Sequence, residues 1–202
     1  MEKARKAFIE RKTSETNISL ELNIDGKGEY NNDTGIPFFD HMLDLLSKHS
    51  LIDLKISAKG DLDVDYHHLV EDIGIVFGSA LNEALGERKG INRYGFWVLP
   101  MDEAQAQSEV CLDLGGRPFF VYTMEHNQKY IRDFDVTILK HFWRSFADTA
   151  RMNLHIELKF GEDLHHCIEA TFKAVARALR MACSTDPRIL DQVPSSKGRL
   201  GA

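Results

Sequence analysis

His67-His68-Leu69-Val70-Glu71 occurs a second time in this chain, as His165-His166-Cys167-Ile168-Glu169, 98 residues later. Each copy follows another histidine at a similar distance, because His41 lies 26 residues before His67 and His141 lies 24 residues before His165. One such match arises easily by chance, whereas a matched pair with matched spacing does not. The sequence therefore predicts one structural unit present twice.

The hydrophobic pattern around the first copy predicts an ordered set of strands and helices. Apolar and polar residues alternate over 18–24, which predicts a strand, and Asp25-Gly26 predicts a turn into a returning strand over 28–32. Crowded apolar spacing predicts helices over 36–49 and 67–85, with a strand over 54–58 between them. An extra strand over 5–10 is expected to precede this copy.

The second half repeats this order. Strands are predicted over 96–99, 108–112, 119–122 and 154–159, and helices over 136–150 and 164–181. Each half is therefore expected to be a β-β-β-α-β-α unit, and the chain an α+β protein with sheets outside and helices packed between them. We expect the first half over 1–90, the second half over 91–184 and an irregular tail over 185–202.

Composition and charge exclude several classes of protein. The 202 residues include 25 Lys and Arg against 31 Asp and Glu, a net charge of −6, which argues against nucleic acid as the main partner. Cys111, Cys167 and Cys183 form no C-x-x-C pair, so a disulfide framework or thiolate zinc site is not expected. The N-terminal residues lack the apolar run that is typical of a signal peptide, and no run of about 18 apolar residues occurs. We therefore expect a cytoplasmic protein without a membrane partner.

The duplicated motif is typical of a metal site. On a helix, His67 and Glu71 share a face, as do His165 and Glu169, because residues four apart are neighbours there. Imidazole and carboxylate ligands together suit manganese, iron or zinc. The adjacent histidines, His68 and His166, point about 100° away around the helix, so each pair is better suited to serve two ions than one. A lone histidine is usually only hydrogen-bonded or exposed, and His126 and His155 are interpreted in that way, while His49 stays undecided.

Several segments resemble one enzyme family. The stretch from Gly35 to Leu43, GIPFFDHML, is similar to the signature of the imidazoleglycerol-phosphate dehydratases, enzymes of histidine biosynthesis. Further matches follow in order at 65–72, 101–104, 113–118 and 195–198, and the resemblance covers nearly the whole chain. Because the chain begins close to the first motif, the form without an N-terminal phosphatase domain is expected.

The resemblance implies a fold, an assembly and a reaction. The fold is a duplicated unit of the ribosomal protein S5 domain 2 type, and the subunits form a homo-oligomer of 24 copies with metals at subunit interfaces. The reaction is the dehydration of D-erythro-imidazoleglycerol phosphate to imidazole-acetol phosphate. The cofactor is a pair of Mn²⁺ ions in each active site. The resemblance gives one ion His41, His68, His165 and Glu169, and the other ion His67, Glu71, His141 and His166.

The resemblance also implies the remaining site residues. Glu15 matches a glutamate that transfers a proton, and the role of Asp102 stays open. Leu45 stands where many relatives have Gln, which puts a polar contact there in question. The residues implied to bind the substrate, mainly its phosphate, are Arg93, Arg117, Lys173, Ser195, Ser196 and Lys197.

The chemistry of the substrate explains why such a site would need metals. The carbon that loses its proton has no neighbouring carbonyl, so the imidazole ring must supply the electron push. A metal-bound imidazolate could expel the hydroxyl group to give a diazafulvene, and Glu15 would then accept the proton. Two alternatives are a dinuclear metallohydrolase and a non-enzymatic metal-storage or RNA-binding module. The lack of an aspartate-rich ligand set disfavours the first, and the negative charge disfavours RNA binding.

Overall fold

The computed structural model describes residues 4–101 and 106–201, and its two halves have the same order of elements apart from a short hairpin and a 3-10 turn in the second half. The first half contains β1 (Lys6–Lys12), β2 (Thr16–Asn23), β3 (Tyr30–Asp33), α1 (Pro37–Ser50), β4 (Asp53–Gly60) and α2 (His67–Leu85). The second half contains β5 (Tyr94–Met101), β6 (Ala106–Asp113), β7 (Phe119–Thr123), β8 (Tyr130–Ile131), β9 (Phe134–Asp135), α3 (Leu139–Thr149), β10 (Asn153–Phe160) and α4 (Leu164–Cys183). A short 3-10 turn, Val136–Ile138, leads into α3.

The two large sheets have identical topology, which confirms the predicted duplication. Their strand orders are β1-β2-β4-β3 and β5-β6-β10-β7. In each sheet the first three strands in this order run antiparallel to one another in turn. The fourth strand pairs in parallel with the third. The α+β class and the repeated unit are therefore as predicted.

Two details of the first half were wrong. The strand expected to be extra is β1, the first of the three strands that the unit needs. The segment after Asp25 does not form a hairpin with β2, because β3 pairs in parallel with β4 on the far side of that strand. The backbone N–H groups of Lys27 and Glu29 donate to Asp53 Oδ1 over 2.7 and 3.0 Å, and these bonds carry the chain across the start of β4.

The β8–β9 hairpin was not predicted, because its two-residue strands are too short to show an alternating pattern. Its residue Phe134 is nevertheless buried, with its ring centroid 5.2 Å from that of Phe38 and 6.1 Å from that of Tyr66. Phe134 therefore anchors the hairpin on the core.

The helices lie between the sheets and pair across the repeat. Helix α2 packs on β1 and β2, and α4 packs on β5 and β6, so each half covers its own sheet. Helix α1 then packs against α4, and α2 packs against α3. Apolar residues on the inner faces, such as Leu20 and Leu154, are fully buried. The two halves thus share one core, and each helix pair combines one helix from each half. Within the described ranges, no helix is both long and apolar enough to cross a membrane.

The contact of α2 with α3 depends on two glycines. A Cβ atom added at Gly74 would lie 2.5 Å from the Phe142 carbonyl oxygen, and one at Gly78 would lie 2.4 Å from the Phe146 carbonyl oxygen. Both distances are shorter than real Cβ contacts allow. Any larger residue must therefore push the two helices apart.

We expect Gly78→Ala to destabilise the protein. Alanine favours a helix by about 1 kcal/mol over glycine, but forcing a methyl group into a packed core costs about 1–3 kcal/mol. The measurement is the melting temperature. The control is Ser79→Ala, because Ser79 is partly exposed and its hydroxyl donates to the Ile75 carbonyl oxygen of its own helix. Unchanged melting of Gly78→Ala would show that the helix contact can relax freely.

Candidate active site

One group of possible metal ligands lies where α1 meets α4. It combines His41 of the first half with His165 and Glu169 of the second half, and one donor atom of each lies within 4.8 Å of the others. Glu169 Oε2 is 3.7 Å from His41 Nε2 and 3.4 Å from His165 Nε2. The edge-on ring of Phe38 lies 5.4 Å from the His165 ring and fixes its orientation. This group therefore depends on the packing of helices from both halves.

A second group lies where α2 meets α3 and mirrors the first. It consists of His67, Glu71 and His141, whose donor atoms also lie within 4.8 Å of one another. His67 Nε2 is 3.9 Å from Glu71 Oε2, and the rings of His67 and His141 are 4.5 Å apart. Ser145 Oγ lies 3.5 Å from the other oxygen of Glu71. Each group again joins one half of the repeat to the other.

The local sequence places both histidine pairs in the first turn of a helix. Asp163 caps α4 by accepting a hydrogen bond from the backbone N–H of His166 over 2.9 Å. Asp65 accepts from the backbone N–H of His67 over 2.7 Å at the start of α2. Carboxylates favour helix N-termini because they satisfy free N–H groups there. The pairs therefore project from the ends of the helices, where a ligand can approach.

Lys173 holds the carboxylate of Glu169. Its Nζ atom is 2.5 Å from Glu169 Oε1, which leaves Oε2 facing the histidines. Burial raises the pKa of the Glu169 carboxyl, but the hydrogen bond from Lys173 and the positive charges around it outweigh burial, and the net pKa lies below its ordinary value. Glu169 is therefore held as an anion. The resemblance implies that Lys173 binds substrate, whereas in this structure its ammonium group pairs with Glu169, a predicted metal ligand.

His49, undecided from the sequence, lies in the same surroundings. Burial, followed by the charges of Lys173 and Arg177, lowers the pKa of its imidazole. The Arg177 guanidinium stacks over the Trp97 ring at 4.4 Å. A neutral imidazole beside two cations could donate to or accept from a bound polar group.

His68 and His166 lie outside both groups of three. His68 Nδ1 is 3.0 Å from Asp61 Oδ2, and this hydrogen bond raises the pKa of the His68 imidazole. The bond orients the ring and leaves Nε2 available, as carboxylates do for metal-binding histidines. His166 Nδ1 is buried and has no hydrogen-bond partner among the described residues. A buried nitrogen without a partner is costly, so it fits a group that binds there.

Glu15 lies beside His68 in the turn between β1 and β2. Its Oε2 is 3.9 Å from His68 Nδ1, and its side chain is half exposed. It directly precedes β2, which begins at Thr16. Asp102 lies outside the described residues.

Arg93 connects the second sheet to the tail. Its guanidinium donates to both oxygens of Asp113, over 2.6 and 2.9 Å, and to the Pro194 carbonyl oxygen over 2.8 Å. Pro194 directly precedes the Ser195-Ser196-Lys197 segment. Three N–H groups of the Arg93 guanidinium are therefore used to connect the sheet with that segment. The resemblance had instead implied that Arg93 binds the substrate phosphate.

The end of the tail brings this segment towards Arg117. The backbone N–H of Gly201 donates to the Gly115 carbonyl oxygen over 2.9 Å, two residues before Arg117. Arg117, Ser196 and Lys197 are exposed, and Ser195 is partly exposed. The structure thus gathers Arg93, Arg117 and the tail at one end of the second sheet, without Lys173.

This basic cluster lies far from the metal-ligand groups of the same chain. The backbone N–H of Arg93 donates to the carbonyl oxygen of Ala182, near the C-terminal end of α4. His165 is at the other end of α4, and a rise of about 1.5 Å per residue puts the two ends about 26 Å apart. A small substrate cannot contact both ends within one chain.

Sequence reasoning missed the residues that orient the ligands. These residues are Asp61, which pairs with His68, and Phe38, which packs against His165. Nothing in their local sequence separates them from ordinary acidic and apolar residues, because their partners lie on other elements.

The chain is similar to one enzyme family over nearly its whole length. A family model described as imidazoleglycerol-phosphate dehydratase matches residues 34–179. The chain is similar to an imidazoleglycerol-phosphate dehydratase of Citrifermentans bemidjiense, with 53% identity over 98% of this chain and 100% of the relative. It is also similar to the one from Ruegeria pomeroyi, with 51% identity over 97% of this chain and 100% of the relative.

Solved structures give the same result. The crystal structure of the dehydratase from Staphylococcus aureus has a TM-score of 0.81 and 34% identity, covering 90% of this chain and 99% of that chain. The structure from Pyrococcus furiosus, in complex with (S)-C348, has a TM-score of 0.80 and 34% identity over 95% of this chain and 100% of that chain. The chain therefore belongs to the imidazoleglycerol-phosphate dehydratase family.

Proposed function

We propose that this chain dehydrates imidazoleglycerol phosphate to imidazole-acetol phosphate, as a hydro-lyase of histidine biosynthesis. The observation that carries the proposal is the pair of mirrored histidine–carboxylate groups, each built from both halves of the repeat. Family membership supplies the substrate, and the two groups supply sites of the kind that its imidazole ring needs.

Each group would hold one manganese ion and lacks one of its four implied ligands. Imidazole nitrogens with a carboxylate oxygen suit Mn²⁺, and the partnerless His166 Nδ1 is consistent with a ligand at that end of the helix. His68 and His166 project from the same helices but lie outside both groups. We propose that they complete groups on neighbouring copies, in an assembly of 24 subunits with metals at the interfaces.

The separation along α4 supports this assembly independently. Because the basic cluster around Arg93 and the group around His165 are about 26 Å apart in one chain, a substrate that uses both must lie between two chains. The phosphate would bind Arg117, Ser195, Ser196 and Lys197, with Arg93 holding the tail. Lys173, which contacts Glu169, would approach the substrate from the metal side.

The side chains of this protein would orient the substrate and move its proton. When bound, the two ions would favour the imidazolate form of the substrate ring, from which the hydroxyl group can leave to give a diazafulvene. Glu15 is half exposed and lies beside His68, so its carboxylate can reach a ligand held there and accept the proton from carbon. Lys173 and Asp61 keep Glu169 and His68 in place while this occurs.

The direct test is turnover. Purified protein loaded with manganese is incubated with imidazoleglycerol phosphate, ketone product is measured, and bound metal is counted in the same sample. We expect turnover that follows manganese content. Fully loaded, assembled protein that forms no product would overturn the proposed activity.

Removing one phosphate contact should weaken substrate binding and leave the metals in place. Lys197→Ala and Arg117→Ala each remove an exposed cation, and hydrogen bonds to charged groups contribute about 1.5–3 kcal/mol, so KM should rise about 10- to 100-fold. A substrate analogue without phosphate should bind the parent poorly and respond little to either change. Arg188→Ala is the control, because this tail arginine pairs with Asp186 and is 85% exposed. Equal losses for both ligands would show that the two residues act through the structure.

A further inference from the structure

The hairpin that carries Glu15 is tied to α2 by a buried carboxylate. Asp72, the residue after Glu71, accepts a hydrogen bond from the hydroxyl of Thr16 at 2.5 Å through Oδ2. Its other oxygen is 3.0 Å from the guanidinium of Arg11. Arg11 lies in β1 and Thr16 is the first residue of β2. The two oxygens of Asp72 therefore bind the hairpin on the two sides of Glu15.

A second hydroxyl fixes the turn itself. Thr13 Oγ1 accepts hydrogen bonds from the backbone N–H groups of Glu15 and Thr16, over 3.1 and 2.9 Å. It also lies 3.2 Å from Thr16 Oγ1, the same atom that bonds to Asp72. The backbone of Glu15 is therefore connected to Asp72 through two threonine hydroxyls.

The repeat shows that the fold does not require this carboxylate. The offset of 98 residues that relates the two motifs makes Ala170 the equivalent of Asp72 in the second half. Ala170 is fully buried in α4, so the same position accepts a methyl group in the second half. Burying a charge is unfavourable unless hydrogen bonds compensate for it. The half that carries Glu15 thus has a costly group that the other half lacks.

We propose that Thr16 and Asp72 are positioning residues for Glu15. They touch neither the substrate nor the ions but hold the turn so that the Glu15 carboxylate stays beside His68. This inference rests on the proposed function, because it assigns a purpose to the network only if Glu15 transfers the proton. A misplacement of about 1 Å can cost a reaction about 10²-fold, so a network of this kind can control rate without contacting the substrate.

A double-mutant cycle with Glu15 tests the inference. In the assembled, manganese-loaded protein, Thr16→Val removes the hydroxyl while nearly keeping the shape of the side chain. We expect kcat to fall roughly 10- to 100-fold, with KM and metal content near the parent. In a Glu15→Gln background the same change should have almost no further effect, because the group to be positioned is gone. Thr16→Ser should restore most of the activity, and Asp72→Asn should behave like Thr16→Val.

Controls separate positioning from general destabilisation. Ser108→Ala removes a buried hydroxyl that lies 3.2 Å from the Thr171 hydroxyl, between β6 and α4 of the second half. It should leave kcat unchanged. Equal fractional losses from Thr16→Val in both backgrounds, or no loss in the parent, would overturn the positioning role. A Glu15→Gln protein as active as the parent would overturn the role of Glu15 as well, and loaded parent without turnover would overturn the proposed function.

Discussion

Removal of metal should abolish dehydratase activity, and added manganese should restore it. The carbon to be deprotonated has no carbonyl beside it, so the imidazole ring of the substrate must be polarised instead. Among the described residues, the two groups of histidines with a glutamate are best suited to hold ions that would do this. Chelated protein should fall to background turnover. The measurements are product formation and bound manganese across a chelator titration. Full activity in protein shown to be free of metal would contradict the mechanism.

The same treatment should change the size of the assembly. Each group of three lacks the fourth ligand that the proposal draws from another copy, so metal binding favours the assembled state by mass action. Chelation should shift the protein to smaller oligomers, and His166→Ala should do so at lower chelator concentrations than the parent. His126→Ala is the matched control, because His126 belongs to neither group of three and its ring nitrogens contact only the backbone of Glu162 and Gln128 among the described residues. Light scattering or native mass measurement gives the size. An unchanged oligomer after verified metal removal would disprove the structural role of the metal.

Glu15→Gln should lower kcat about 10²–10⁴-fold, the usual contribution of a general acid–base group. Glutamine keeps the size and polarity of the side chain but cannot accept a proton. Because Glu15 belongs to neither group of three and lies 3.9 Å from His68 Nδ1, metal content and KM should stay near the parent. The measurement is steady-state kinetics with metal analysis of the same preparation.

Glu10→Gln provides the matched control. Glu10 is exposed on the same hairpin, in β1, and its substitution makes the same change of charge. It should leave kcat unaltered. If Glu15→Gln retains a kcat within about twofold of the parent, far short of the usual general-base effect, Glu15 takes no part in proton transfer.

The sequence by itself determined the repeated unit and singled out the candidate metal ligands. Alternation over 18–24 predicted β2, and crowded apolar spacing predicted α1, α2, α3 and α4 close to their observed bounds. These patterns are local, because a helix or strand shows its buried face within a few residues. The H-H-x-x-E motif was equally visible, since four residues of helix bring its histidine and glutamate together.

The sequence did not determine which distant elements meet. The route of β3 to the far side of β4 depends on hydrogen bonds between Asp53 and a turn more than twenty residues earlier in the chain.

One local contact, between Lys173 and Glu169, was also missed. The two residues are four apart on α4, but a lysine at this position suits a phosphate as well as a carboxylate.

Only the tertiary structure decided how the upstream histidines join the duplicated motifs. His41 approaches Glu169 because α1 packs on α4, and His141 approaches His67 because α2 packs on α3. The spacing of 26 and 24 residues is compatible with either pairing, and only the family resemblance had indicated this one. Helix packing depends on complementary surfaces such as Gly74 and Gly78 against the α3 backbone. Such fits involve residues far apart in the chain, so no local pattern records them.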